Sequence, residues 1–271
     1  MMSYDEYVIK AITMNIKSNK EVAKYFDFTY KSQKHKIENV LLEILKVIKY
    51  AIPWRLITDI PYTTVYSSYK RLLHFDILKN TYIELLKLYL KKSPNKKLKI
   101  QYTDTTCISN KYGSTLVKYN GYKRKKCTKI SFITDSYGIP INVSIHNGSQ
   151  NDGKILVSHF HKMLIDEDLN NKNKVYMLAD SIYYVKEVKE LLTSNGYSYI
   201  IPPNAKNTKY KEIQKLTKDE ISIYSKRIKI EHTNSLLKSY RRLGCRYDRN
   251  IGTFYGSLWI SLICFITKKL K

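Results

Sequence analysis

Acidic residues are scarce in this chain. In 271 residues, 23 Asp and Glu stand against 48 Lys and Arg, a formal net charge of +25. A folded chain tolerates that self-repulsion more easily when a polyanion neutralises it. Nucleic acid is the first partner such a balance suggests, and an anionic membrane surface is its competitor. Arginine is also sparse, with eight residues, so lysine carries most of the positive charge. The excess of Lys, Asn, Ile and Tyr also fits an A·T-rich coding sequence, which halves its weight as a functional signal. There are only four cysteines, Cys107, Cys127, Cys245 and Cys264, and no two are spaced C-x-x-C. That argues against a secreted disulfide framework and for a reducing compartment. His159 and His161 have no cysteine pair beside them, which argues against a structural zinc site. The opening MMSYDEYVIK carries acids and no apolar run follows it, so no secretory signal is expected. The one long apolar stretch, 251–267, sits at the short edge of a spanning length and holds two Gly and several hydroxyls. It predicts a buried C-terminal helix and no membrane partner. No internal repeat appears.

A hydrophobic fraction of 43% marks a globular chain long enough for one large domain and a helical appendage. Residues 1–95 read as helical. In 35–54, Ile37, Val40, Leu41, Ile44, Leu45, Val47 and Ile48 recur at helical spacing, and Pro53 is expected to end the helix. A second helix is expected from about Tyr62 to Leu90, with 59–64 as the joint. This pair is compatible with a helix-turn-helix and equally with a plain bundle. KKSPNKKLK, 91–99, is a polar, Pro-containing hinge and the expected domain boundary, leaving 1–95 and 96–271.

Beyond the hinge the hydrophobic period changes from 3.6 to 2. LKIQYTD, CTKISFITD and IPINVSIHNG read as strands, with a turn at Asp135–Gly138. A helix capped by Asp152 follows, then VYMLAD as a strand buried on both faces. A helix over 181–194 comes next with Gly196 just past its end, then a strand at 197–203, a polar loop and a last helix containing Glu231. The order β-β-β-α-β-α-β-α predicts an α/β fold. Its expected form is a ribonuclease-H-like mixed sheet flanked by helices, with an all-α N-terminal region.

Two carboxylates end predicted strands in this scheme: Asp104 closes LKIQYTD and Asp180 closes VYMLAD. Ligands bind at the carboxyl edge of such sheets, and a lone buried Asp is costly, so both are expected at that edge. Together they are suited to hard divalent cations, which take oxygen ligands and assist in-line phosphoryl displacement. A third carboxylate is needed. Tyr224, Arg227, Glu231, Ser235 and Lys238 are separated by 3, 4, 4 and 3 residues and share one helical face. That face offers a carboxylate to metal, and guanidinium, ammonium and phenol to a phosphate chain. Taken alone, Glu231 also fits a surface ion pair with Arg227. Asp135 and Asp152 read as turn and cap residues, and Asp248 as an ion-pair partner of Arg246 or Arg249.

The run Y-(2)-R-(3)-E-(6)-K at Tyr224, Arg227, Glu231 and Lys238 resembles the signature of bacterial insertion-sequence DDE transposases with a ribonuclease-H-like catalytic domain. DTT at 104–106, the lysine-rich strand pair 121–152 with its D-x-x-G-x-P hairpin, LADSIYY, and SYRRLGCRYDRN before an apolar helix are similar to further motifs of that family. The resemblance covers about 98–270, and 37–90 with PWR at 53–55 is looser. It implies a triad of Asp104, Asp180 and Glu231 holding Mg²⁺ or Mn²⁺, as two ions. It further implies DNA contacts by Tyr224, Arg227 and Lys238. The basic run 122–126, with Lys123, Arg124, Lys125 and Lys126, fits a solvated loop, a DNA track or an accidental nuclear signal, and a site expected beside it favours the DNA track. The implied partners are double-stranded transposon ends and target DNA, handled by a homodimer inside the cell where DNA is accessible. The 50 residues between Asp180 and Glu231 leave no room for the large β insertion of bigger members. The rivals are a non-catalytic DNA-binding protein that keeps the fold, and a basic membrane-surface protein in which strand-end aspartates have no role.

Overall fold

The computed structural model describes residues 3–26, 35–92, 98–162, 164, 175–203 and 216–270. The chain divides into two compact units. One holds Met1–Tyr89, Asn110–Thr115 and Leu236–Lys271; the other holds Leu90–Ser109 and Leu116–Ser235. Residues 93–97 of the expected hinge and 204–215 of the expected polar loop lie outside the described residues.

The first unit is helical: α1 (Tyr4–Ser18), α2 (Lys20–Tyr25), α3 (Ile37–Tyr50), α4 (Tyr62–His74) and α5 (Ile77–Leu90). The apolar stripe of α3 is buried at every expected position, from Ile37 to Ile48. Each such side chain is worth roughly 1.5–3 kcal/mol on full burial, so packing rather than propensity holds this helix. It stops where Ala51 turns left-handed at φ 57°, two residues before Pro53. The single helix expected over 62–90 is in fact two. Asp76 adopts φ 52°, a left-handed conformation that a helix cannot run through, and α4 ends at His74.

The C-terminal segment forms a helix over Ile251–Leu270, as its composition predicts. It is long and apolar enough to cross a membrane, yet 78% of its apolar window is buried inside the protein. The buried Tyr69 donates its hydroxyl to the Thr253 carbonyl at 2.6 Å. Gly256 makes this approach possible, because a Cβ there would collide with the Tyr69 hydroxyl. Before this helix, Asp248 pairs with Arg242 at 3.0 Å, not with Arg246 or Arg249 as its neighbours suggest. Arg246, fully buried, instead binds backbone carbonyls: Nε donates to Asp248 at 3.0 Å and Nη1 to Thr115 at 2.7 Å. Its charge is thus spread over peptide dipoles, which leaves the Asp248 carboxylate to Arg242 and to the Ser257 hydroxyl at 3.2 Å.

The second unit is built on a mixed sheet: β1 (Ile100–Asn110), β2 (Lys118–Asn120), β3 (Lys125–Thr134), β4 (Pro140–Asn147), β5 (Val175–Leu178) and β6 (Tyr197–Ile200). β3 pairs antiparallel with β1, β2 and β4, while β5 pairs parallel with β1 and β6 parallel with β5. The order β4-β3-β1-β5-β6, antiparallel then parallel, is the ribonuclease-H-like arrangement that the element order predicts. α6 (Asp152–His159) packs on β3, and α7 (Lys186–Ser194) on β6. α8 (Lys218–Tyr224) and α9 (Ile228–Lys238) follow.

Local chemistry explains the details. The turn at Asp135–Gly138 forms as read: the Asp135 carboxylate accepts from the Tyr137 and Ile139 amides, and Gly138 takes φ +83°. Gly196 takes φ +74° just past α7. The helix beginning at 152 is capped by Asn151, not by Asp152, which turns instead to Lys129. It ends at His159, and of its expected tail residues 163, 165 and 166 lie outside the described residues. The helix expected over 181–194 is split into a 3₁₀ turn, Ser181–Tyr183, and α7, because Val185 is extended between them.

Candidate active site

The sheet delivers two aspartates to one level. β1 runs six residues beyond Asp104, so Asp104 lies inside a long strand rather than at its end. The parallel pairing of β1 with β5 does stop here, with Tyr102 opposite Leu178. Two residues further along each chain, beyond the last paired residues, come Asp104 and Asp180, and the Asp180 charge reaches Asp104. Asp180 is exposed and its Oδ1 accepts the Ser181 amide at 2.6 Å, capping the short turn after the strand. Asp104 is half-buried, and burial pushes its carboxyl up to about 6. The Arg227 charge and the Thr105 amide oppose that rise, and the carboxylates of Asp152 and Asp180 add to it.

Three groups that the sequence reading did not single out surround Asp104. Asn234 donates from Nδ2 to Asp104 Oδ2 at 2.8 Å, and its own Oδ1 is buried with no hydrogen-bond partner. Tyr183, fully buried, shares a hydrogen bond with Thr105 Oγ1 at 2.9 Å. Burial, with the charges of Asp104 and Asp152, raises its phenol far above the ordinary value, so it stays neutral. Lys129 meets Asp152 at 2.6 Å, which neutralises the nearest spare carboxylate. One signal was available for Asn234: it lies three residues after Glu231, one turn along the same helix.

The third carboxylate arrives on a helix. The face expected to carry Tyr224, Arg227 and Glu231 is not one continuous α-helix, because Ser225–Arg227 tighten into a 3₁₀ turn between α8 and α9. Arg227 nevertheless meets Glu231 at 3.1 Å. Burial alone would lower the Arg227 guanidinium, but Tyr224, Asp104 and Asp180 outweigh it and hold the charge firmly. Tyr224 is raised by burial and partly restored by Arg227, with weaker effects from Asp180 and Glu231. Arg227 is therefore the electrostatic hub that links the aspartates to the helix. The D-x-x-G hairpin docks this helix: Thr233 Oγ1 donates to the Gly138 carbonyl at 2.7 Å, and a Cβ on Gly138 would lie 2.7 Å from that same oxygen. Lys238 ends α9, exposed, among the residues of the first unit.

Asp104 and Asp180, where the parallel pairing of β1 and β5 ends, offer oxygen donors of the kind that a hard divalent cation takes. Glu231 as placed is turned to Arg227, and among the described residues no three His, Cys, Asp or Glu side chains are gathered to hold a metal. The basic run expected beside the site lies elsewhere. Gly121 to Arg124 form the tip of the β2–β3 hairpin, with Lys125 and Lys126 opening β3. All are exposed, Tyr122 to 90%, and Lys123 sits over the Tyr122 ring at 5.1 Å. Asp104 is opposite Phe132, six residues from Lys126 along β3, or about 20 Å at about 3.4 Å per residue. Asn120 braces the tip by accepting from the Lys123 amide at 2.8 Å.

No sequence among curated proteins matches the chain. Comparison with solved structures returns the catalytic domain of the Mos1 mariner transposase, at 13% identity over 61% of this chain and 89% of that one, TM-score 0.30. It also returns the Mos1 mariner paired end complex with Mn, at 12% identity over 88% and 92%, TM-score 0.30. A piggyBac transposase synaptic complex with hairpin DNA follows, at 10% identity over 98% and 65%, TM-score 0.45. Likeness at this level decides neither substrate nor chemistry. A model of the transposase DDE domain matches residues 95–264, more than half of the chain, and the chain belongs to that family.

Proposed function

We propose that this chain is a metal-dependent DDE transposase that cuts DNA at the ends of its element and joins the freed 3′-hydroxyl to target DNA. The observation that carries the reading is the parallel register that levels Asp104 with Asp180, with the Glu231 helix docked against the same sheet. Asp104, Asp180 and Glu231 are the proposed metal ligands, Mg²⁺ or Mn²⁺ the proposed ions. When bound, such a cation supplies Lewis-acid activation of the attacking and leaving oxygens of an in-line phosphoryl displacement. The protein's own part is positioning. Asn234 orients Asp104, Lys129 keeps Asp152 out of the site, and Arg227 is placed to leave Glu231 and take a phosphate bidentately. Tyr224 and Lys238 extend that contact along the strand, and the hairpin tip, Lys123 to Lys126, takes backbone phosphates several base pairs away. The family match from residue 95 supports the boundary between a helical region over 1–95 and a catalytic domain over 96–271, although 110–115 and 236–271 belong to the same compact unit as the N-terminal helices. Synapsis of two ends calls for a homodimer, acting inside the cell where DNA is accessible.

The test is cleavage of the DNA flanking the coding region, with its terminal repeats, in Mg²⁺ or Mn²⁺. Wild-type protein is expected to nick at the ends, while Asp180→Asn binds the same DNA within about twofold and loses nicking by at least about 10³-fold. Nicking that survives Asp180→Asn overturns the assignment. A second reading, a DNA-binding protein that keeps the fold without cleavage, has the Arg227–Glu231 ion pair in its favour. Binding without any metal-dependent nicking by the wild type would favour it.

A further inference from the structure

The first unit contains a cavity of about 800 Å³ that the cleavage chemistry does not use. Its volume falls within the range of ligand sites, about 300–1,000 Å³. The wall is aromatic: Trp54, Tyr66, Tyr112 and Tyr247. Trp54 and Tyr66 meet edge-on with ring centroids 5.2 Å apart, which fixes that side. Tyr112 and Tyr247 stand 6.3 Å apart and remain 56% and 37% exposed. Aromatic rings kept open beside a cavity are surfaces for stacking rather than core.

The charged lining is net positive, three arginines against Asp248. Arg55 and Arg249 are exposed at the rim. Arg242 is buried, holds Asp248 at 3.0 Å and lies over the Trp54 ring at 5.3 Å.

A ligand that suits these features is flat and aromatic and bears a negative charge beside the ring. A nucleotide has that chemistry. A base inside a duplex does not offer its faces, because they are stacked on its neighbours, whereas an unpaired base does. We propose that this cavity binds one unpaired nucleotide of a DNA strand. Its base stacks against Tyr112 and Tyr247, and the adjoining phosphate meets Arg55 and Arg249. This rests on the reading of the chain as a DNA-handling transposase, and it adds a site that tells distorted DNA from intact duplex.

The test compares two duplexes that share one sequence, one with a short overhang of normal nucleotides and one whose overhang is abasic. Wild-type protein is expected to bind the first about tenfold more tightly, roughly the gain from one stacked base. Tyr112→Ala and Arg249→Ala alter exposed side chains and are expected to erase that preference while leaving blunt-duplex affinity within about twofold. Equal affinity for the two overhangs in the wild type, or a preference that survives both variants, overturns the proposal. Quenching of Trp54 fluorescence by deoxynucleoside monophosphates without any overhang preference assigns the cavity to a free nucleotide and also overturns it. Metal-dependent nicking measured on the same preparations separates this site from the wider reading. Nicking without overhang preference sinks the cavity alone, and absence of duplex binding sinks both.

Discussion

The sheet arm and the helix arm of the proposed site are held in different ways. Asp104 and Asp180 are placed by backbone: their strands pair through Tyr102 and Leu178, and the carboxylates follow from the register. Asp104 is also gripped by Asn234 and half-buried. Glu231 is exposed, rides on a helix preceded by a 3₁₀ turn, and spends its charge on Arg227. Backbone hydrogen bonds make the first arm rigid, whereas Glu231 is held by one i,i+4 ion pair to a largely buried Arg227, in which only the glutamate faces solvent. In the proposed reading two ligands are preset and a third waits, its guanidinium partner being the group suited to a DNA phosphate.

The sharpest way to break this comparison is to exchange the partners of the ion pair. Arg227→Glu combined with Glu231→Arg keeps an i,i+4 pair but sets a carboxylate near Asp104 and Asp180, and stability is expected to fall by about 1–3 kcal/mol by denaturant unfolding without loss of the fold. Cleavage is expected to fall by about 10³-fold or more, because a carboxylate now stands where the phosphate contact belongs. If the swapped protein cuts normally, the pair is only a surface pair. A smaller effect is expected on the sheet arm from Asn234→Ala, which removes the donor to Asp104 but no ligand. Loss of such an orienting partner typically costs 10–100-fold, so kcat should drop by about that factor with DNA affinity unchanged. An unaltered kcat would mean that Asp104 needs no such grip.

The smallest effect is on stability. Asp104 has a folded pKa of about 6, above the unfolded value of about 4. The fold therefore prefers its neutral form: that contribution is full below pH 4 and lost as pH rises through 6. Asp104→Asn should accordingly stabilise the metal-free protein at pH 8, on the order of 2 kcal/mol, with the gain fading toward pH 4. Thermal unfolding across that range checks it, and a gain that grows as pH falls contradicts it.

Much of this was legible in the sequence. The change of hydrophobic period at 98, the wholly apolar run before Asp180 and the spacing from Tyr224 to Lys238 point to the sheet, its edge and the helix that meets it. What stayed hidden depends on contacts between distant residues. Asn234 reaches Asp104 across 130 positions, and no periodicity announces such a bond. Asp152 looked like a helix cap, yet the cross-strand neighbour of His146, Lys129, draws it into an ion pair at 2.6 Å. Asp248 has two arginines within two residues and pairs with a third, six residues back. The break at Asp76 escaped notice because Asp is tolerated in a helix as well as in a left-handed turn. The basic run at 122–126 was legible as exposed charge, but its distance from Asp104 follows from the strand register alone.

The central claim, that a rigid pair of aspartates is completed by a glutamate released from Arg227, is tested most directly by Mn²⁺ binding in electron paramagnetic resonance titrations. Wild type would be compared with Asp104→Asn, Asp180→Asn and Glu231→Gln, each with and without end DNA. The account predicts that both Asp variants lose Mn²⁺ binding by about 10-fold or more, and that Glu231→Gln weakens it only when DNA is present to hold Arg227. Mn²⁺ binding unchanged in all three variants, with or without DNA, would contradict it.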